Sequence, residues 1–241
     1  MKIRRRSPVV VPVLAAALAL GWMFSAAASP ASVEQTFDRF FSRFNNSAPP
    51  PYRAFRRLEG GIIGSKNQGW IEVWTEFQPP RTFKFNVVRE DGSDYVRNSV
   101  LRKLLLNEQE MLGDGKPLRA ALEPRNYLFE DGGATDSGLQ RVALTPARKG
   151  EGIVTGSLFI EPQSGGVVKL EGRLIKSPSF WVRDIDVMWQ FASVAEHVVP
   201  VEMTTTGRVR FFGQSYFRMY YDYETIGGQP TNGRVKAAGF P

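Results

Sequence analysis

Few residues in this chain are of a type and spacing that could do covalent chemistry. Asp184 and Asp186 stand two apart, and Glu72 and Glu76 four apart. On a strand either spacing puts both carboxylates on one face. A carboxylate pair is the equipment of a glycosidase. Charged residues that alternate with apolar ones are, far more commonly, the wet face of a sheet. His197 is the single histidine, set beside Glu196 and ahead of Pro200 in a turn between two alternating runs. One imidazole leaves one possible base for a Ser-His-Asp triad and excludes imidazole-rich metal sites. Cysteine is absent, which removes thiol nucleophiles, thiolate metal sites and disulfides. No G-x-S-x-G, P-loop or G-x-G-x-x-G motif occurs. The chain reads as a non-enzyme with no metal site and no cofactor. Arg53, Arg56 and Arg57 form a basic cluster. By default this is a solvated edge, and otherwise it meets a lipid headgroup or a partner.

The chemistry that is abundant is apolar, and the segment Phe180 to Ile226 must position it. Three alternating runs follow one another there. Ile185, Val187, Trp189 and Phe191 oppose Asp184, Asp186 and Gln190. Val201, Met203, Val209 and Phe211 oppose Glu202, Thr204, Thr206, Arg208 and Arg210. Phe217, Met219, Tyr221 and Tyr223 oppose Arg218, Asp222 and Glu224. A period of two predicts half-buried strands. Each run of about twelve residues spans roughly 40 Å, long against a usual strand of about 5–6 residues. Strands of this length with one greasy face predict a wide, curved sheet in need of a cover.

Composition narrows the partners. The 241 residues are 42% hydrophobic and carry a net charge of +7. Four of those charges are Lys2, Arg4, Arg5 and Arg6, with no acid among the first 28 residues. The remaining +3 is interspersed, which argues against nucleic acid. Residues 1–28 have the charged, apolar and small-residue regions of a secretory signal, and cleavage is expected after Ala28. The alternative is a retained anchor, since the apolar stretch nearly reaches the ~20 residues of a span. A periplasmic location follows, and the lack of cysteine suits an oxidising compartment.

Two helices are predicted. Ser32-Val-Glu-Gln35 fits a capping box, and Val33, Phe37, Phe40, Phe41 and Phe44 then make an aromatic stripe. Residues 29–51 comprise this helix and its proline-rich linker. The second helix covers residues 96–112. Val96, Val100, Leu104 and Met111 lie along one side, with Leu101, Leu105 and Leu112 beside them, which predicts a well buried lid. Strands are predicted from Tyr52 to Leu58 with a break at Gly60-Gly61, from Gly69 to Phe77, and from Thr82 to Arg89. Further strands are predicted at Leu139–Leu144, Gly152–Ile160 and Gly166–Lys176. Residues 130–136 read as a polar loop, 116–122 as a helical turn, and 227–241 as a flexible tail.

The order of these elements resembles the LolA-like periplasmic lipoprotein carriers and the related outer-membrane lipoprotein-sorting proteins. LFIEPQSGGVVKLEGRLIKSP is similar to that family's strand-turn-strand, and HVVPVEMTTTGRVRF to its closing hairpin. YVRNSVLRKLL and PRNYLF are similar to segments of carrier-like members. The resemblance covers residues 33–226. It implies an α+β, mainly antiparallel fold: a curved half-closed barrel over 52–226 with helices covering the concave face. It also implies a monomeric carrier for the acyl chains of lipoproteins or similar lipids. Such a carrier would work between an inner-membrane export complex and an outer-membrane receptor. A sensor or adaptor of the same fold is the alternative, disfavoured because no second domain fits after Ile226. Strand parity then selects the candidate lining: Trp70, Trp74, Phe83, Phe85, Trp189, Phe191, Met203, Phe211, Phe217, Met219 and Tyr221. Trp70 and Trp74 share their face with Glu72 and Glu76, so parity also allows them an outer position.

Overall fold

The computed structural model describes residues 32–45, 49–113, 122–177, 182–194, 197–233 and 235. The expected signal segment and most of the helical turn at 116–122 lie outside them. Helix α1 (Val33–Asn45) is followed by β1 (Tyr52–Ile62), β2 (Gln68–Gln78) and β3 (Thr82–Gly92). A π-helical stretch, Val96–Arg102, runs directly into α2 (Lys103–Gly113). Then come β4 (Tyr127–Ala134), β5 (Gln140–Pro146), β6 (Val154–Ile160) and β7 (Val167–Leu174). The three long runs form β8 (Val182–Val194), β9 (His197–Val209) and β10 (Gly213–Ile226), and β11 is Gln229–Pro230.

All eleven strands among the described residues belong to one antiparallel sheet, ordered β3-β2-β1-β10-β9-β8-β7-β6-β5-β4, with β11 added on β10. The end strands β3 and β4 do not pair with each other, so the sheet stays open, as a half-closed barrel requires. The first strand meets the last long one: Tyr52 stands opposite Ile226 and Leu58 opposite Met219.

Register explains why one face is greasy from edge to edge. Ile71, Leu58, Met219, Met203, Trp189, Leu170, Leu158 and Val142 are successive cross-strand partners over eight strands. Cross-strand partners share a face, so these side chains make one continuous apolar row.

The helices divide that face in two. One core gathers Ala54, Leu58, Ile71, Val73, Met219 and Tyr221 under Val96, Leu101 and Leu105. The other gathers Tyr127, Val142, Leu144, Leu158, Ile160 and Leu170 around Phe40 of α1. Helix α1 starts as the sequence predicts, with the Ser32 Oγ accepting from the Gln35 amide at 3.2 Å. Phe40 is fully buried, and the Phe129 ring lies 5.7 Å from it and 5.1 Å from Phe41. One such buried aromatic is worth roughly 1.5–3 kcal/mol. The β6–β7 turn receives the helix backbone. A Cβ on Gly165 (φ +69°) would lie 2.6 Å from the Phe40 nitrogen, and Arg39 Nη1 donates to the Pro162 carbonyl at 2.8 Å.

The second helix departs from its expected face. Val96, Leu101 and Leu105 are buried, whereas Val100, Leu104 and Met111 are 37%, 42% and 52% exposed. The π-turn is the cause. It adds a residue to the turn, so the inward positions follow a spacing of five and then four. Leu101 packs over Gly60, its methyl 3.7 Å from where a Cβ would be, while the Tyr216 carbonyl of β10 would lie at 3.2 Å. The Gly60-Gly61 pair is not a break: β1 runs through it, and both glycines pair with β10 and β2.

Two further expectations are corrected. The segment read as a polar loop is mostly β4, an edge strand with one partner and a bulge between Asp131 and Ala134. Within the expected tail, the described residues 227–233 and 235 turn back onto the sheet. Gln229 and Pro230 pair with β10, the Tyr223 amide donates to the Val235 carbonyl at 3.0 Å, and Thr231 and Val235 are buried.

Candidate functional site

The candidate site is the seam between the two cores, along β8 and β9. Met203 and Phe217 are only partly buried at the margin of the α2 core. Trp189 and Phe191 are only partly buried at the margin of the α1 core. Trp189 and Met203 are nonetheless direct cross-strand partners. The stacked Trp189 and Phe191 rings, 5.9 Å apart, make a flat apolar floor there. Period-two alternation puts all four on the helix-bearing face, and the helices, anchored at opposite flanks, leave the middle strands less covered.

The other predicted lining residues divide three ways. Phe83, Met219 and Tyr221 are buried in the core, with Phe85 half-buried beside Phe83. Trp70 and Trp74 lie on the opposite face. There Arg57 stacks over Trp70 at 4.3 Å and Arg53 over Trp74 at 4.2 Å, contacts worth about 0.5–1 kcal/mol at exposed sites. Phe211 leaves the sheet altogether. Strand β9 ends at Val209, and Phe211 occupies the β9–β10 turn with φ +66° and 90% exposure. Parity fails there because the chain turns before the alternation does.

The basic cluster separates by the same alternation. Arg53 and Arg57 point outward, while Arg56 shares the inward parity of Ala54 and Leu58 and is 1% exposed. That parity was the signal for a buried arginine. Arg56 Nη1 donates to Glu108 Oε2 of α2 at 2.9 Å, and Nη2 reaches the Met219 sulfur. The guanidinium lies 4.6 Å from the centre of the Tyr221 ring. Burial works against its charge, but Glu108 and the rings of Tyr221 and Tyr52 outweigh that and hold it above its usual value. Burial pushes the Tyr221 hydroxyl up to about 12, against the pull of Arg56. Tyr52 and Tyr223 are raised too, by burial first.

Asp184 and Asp186 both line an open cleft of about 490 Å³, together with Arg173 and Arg208. Glu72 is buried between Arg57 and Arg89, at 3.0 and 2.7 Å, rather than solvated. Asp186 is bound by Arg173 at 2.8 Å, a hydrogen bond that lowers its carboxyl from the ordinary range. His197 begins β9, half-buried.

No protein-family model matches the chain, and no curated protein matches it. Among solved structures it is similar to the crystal structure of a DUF1329 family protein from Desulfovibrio piger ATCC 29098. The two share 9% identity over 78% of this chain and 90% of that one, with a TM-score of 0.42.

Proposed function

We propose that this protein is a non-enzymatic periplasmic carrier that holds acyl chains of lipoproteins or related lipids on the helix-bearing face. The observation that carries the proposal is the seam. One apolar row crosses eight strands, and its middle, at Trp189 and Met203, is the part the helices leave half covered. Water penalises an acyl chain by about 0.8 kcal/mol per methylene, so a carrier needs such a row. Release needs competition for it. Cargo and helix seek the same face, and whichever binds displaces the other. Arg56 and Glu108 give α2 a polar latch, so this flank opens only when a buried ion pair parts. Among the described residues no helix is long and apolar enough to cross a membrane.

Native mass spectrometry of the protein purified from its own host, with lipid extraction, tests the proposal. A reproducible acyl-bearing ligand, lost on Trp189→Asp, is the expected result. A ligand-free protein would overturn it.

A further inference from the structure

The end of the sheet formed by the β9–β10 and β1–β2 turns carries an aromatic tip that the carrier reading does not use. Phe211 is 90% exposed and Phe212 63%. Ile63, in the neighbouring turn, is 55% exposed, and its amide donates to the Gln214 carbonyl at 2.9 Å. The two turns therefore present three bare apolar side chains side by side. Phe211 also sits in the left-handed region at φ +66°. A hairpin turn ordinarily fills that position with Gly or Asn, and a bulky residue there is strained. Strain and exposure at one residue, with nothing gained in packing, point to a role outside the fold.

Cations surround the tip. Arg183 and Arg208 stand directly opposite each other in the β8–β9 register, with Arg208 82% exposed. Like charges so placed are destabilising. The acid nearest Arg208, Asp184, lies at 3.9 Å. Arg210 lies in the turn itself and Lys66 in the β1–β2 turn, both on the same rim. A cleft of about 490 Å³, lined in part by Arg208, Asp184 and Gln214, opens beside them.

We propose that this rim docks on an anionic lipid bilayer, with Phe211 and Phe212 inserted below the headgroups and the arginines at the phosphates. An aromatic tip on a hairpin needs no complementary groove, which a fluid bilayer lacks. Basic side chains just behind apolar ones match the layering of phosphate over acyl chain. Docking does not depend on the cargo reading, since the tip lies outside the seam.

The test is co-flotation of the full-length protein with phosphatidylethanolamine–phosphatidylglycerol vesicles and with phosphatidylcholine vesicles. The wild type is expected to float with the anionic vesicles, more weakly with the neutral ones, and less as salt is raised. Phe211→Asn with Phe212→Ser is expected to weaken binding about tenfold or more, since insertion scales with apolar area. Arg183→Glu with Arg208→Glu is expected to remove the preference for anionic lipid. Phe211→Asn alone should leave the melting temperature unchanged or raise it, because Asn tolerates the left-handed backbone. A variant that binds vesicles as the wild type does would overturn the proposal. So would sedimentation showing that Phe211 instead joins two copies of the chain. Mass spectrometry of the Phe211→Asn/Phe212→Ser protein separates the two proposals: acyl ligand retained with vesicle binding lost supports docking as independent of cargo.

Discussion

The Arg56 guanidinium, 1% exposed beneath α2, lies 2.9 Å from the Glu108 carboxylate, which is 26% exposed. The asymmetry matters. Glu108 can reach water if the pair parts, and Arg56 cannot. Removing one partner of a buried pair costs about 3–5 kcal/mol because it strands the other. Glu108→Gln is therefore expected to cost roughly 3 kcal/mol, the larger loss. Arg56→Met, which removes the stranded charge itself, should cost less. Urea unfolding of both variants and of the double mutant checks the order. Equal losses would show that the pair does not work this way.

Alkaline pH probes the same core. The folded state holds the Tyr221 proton until about pH 12, while an unfolded chain releases tyrosine protons near 10. Tyr52 and Tyr223 are shifted the same way. Above pH 10 the unfolded state thus binds fewer protons, so stability falls as pH rises. Stability should be complete below about pH 10 and lost progressively through about pH 12. Tyrosinate absorbance should show a fraction of the seven tyrosines ionising only as the protein unfolds.

The π-turn makes a sharp contrast between neighbours. Leu101 is fully buried and Leu104 is 42% exposed. Leu101→Ala should cost about 2–5 kcal/mol, whereas Leu104→Ala should stay within about 0.5 kcal/mol. Denaturant midpoints decide it. A regular α-helix over 96–112 would give the leucines different ranks.

Gly165 ties α1 to the β6–β7 turn. An alanine there meets both a positive φ and the α1 backbone at 2.6 Å. Gly165→Ala should cost upwards of ~1 kcal/mol and raise amide exchange across residues 33–43 more than across α2. Uniform exchange in both helices would count against this local role.

Parity supplies a control for cargo binding. Trp70→Ala and Trp74→Ala alter only the outward face and should leave an acyl ligand in place, while Trp189→Asp should release it. Extracted lipid per mole of protein is the readout, with circular dichroism showing that each variant folds.

The sequence was most readable where one physical rule acts alone. β8, β9 and β10 follow from uninterrupted alternation, and α1 from Ser32 and its phenylalanines. Legibility ended where tertiary contacts overrule local signals. Gly60 reads as a break, but it is held in the strand by pairing with β10 on one side and β2 on the other. The 130–136 segment reads as a loop because an edge strand needs little hydrophobicity on its open side. The inward face of the second helix was hidden because a π-turn changes the period and leaves no composition cue. At the candidate site, Trp189, Phe191, Met203 and Phe217 were readable by parity. The buried Arg56 was readable by parity too, but its charge made an edge the natural assumption.

The pairing of β1 with β10 has a kinetic consequence. Tyr52 and Ile226 are opposite neighbours, so the core under α2 lacks part of its floor until β10 is available. Helix α1, near the start of the chain, meanwhile waits for β4 to β7 before its phenylalanines have a surface. A topology so rich in distant contacts folds slowly. Until β10 arrives the apolar row lies bare, and for that interval the chain is at its most prone to self-association.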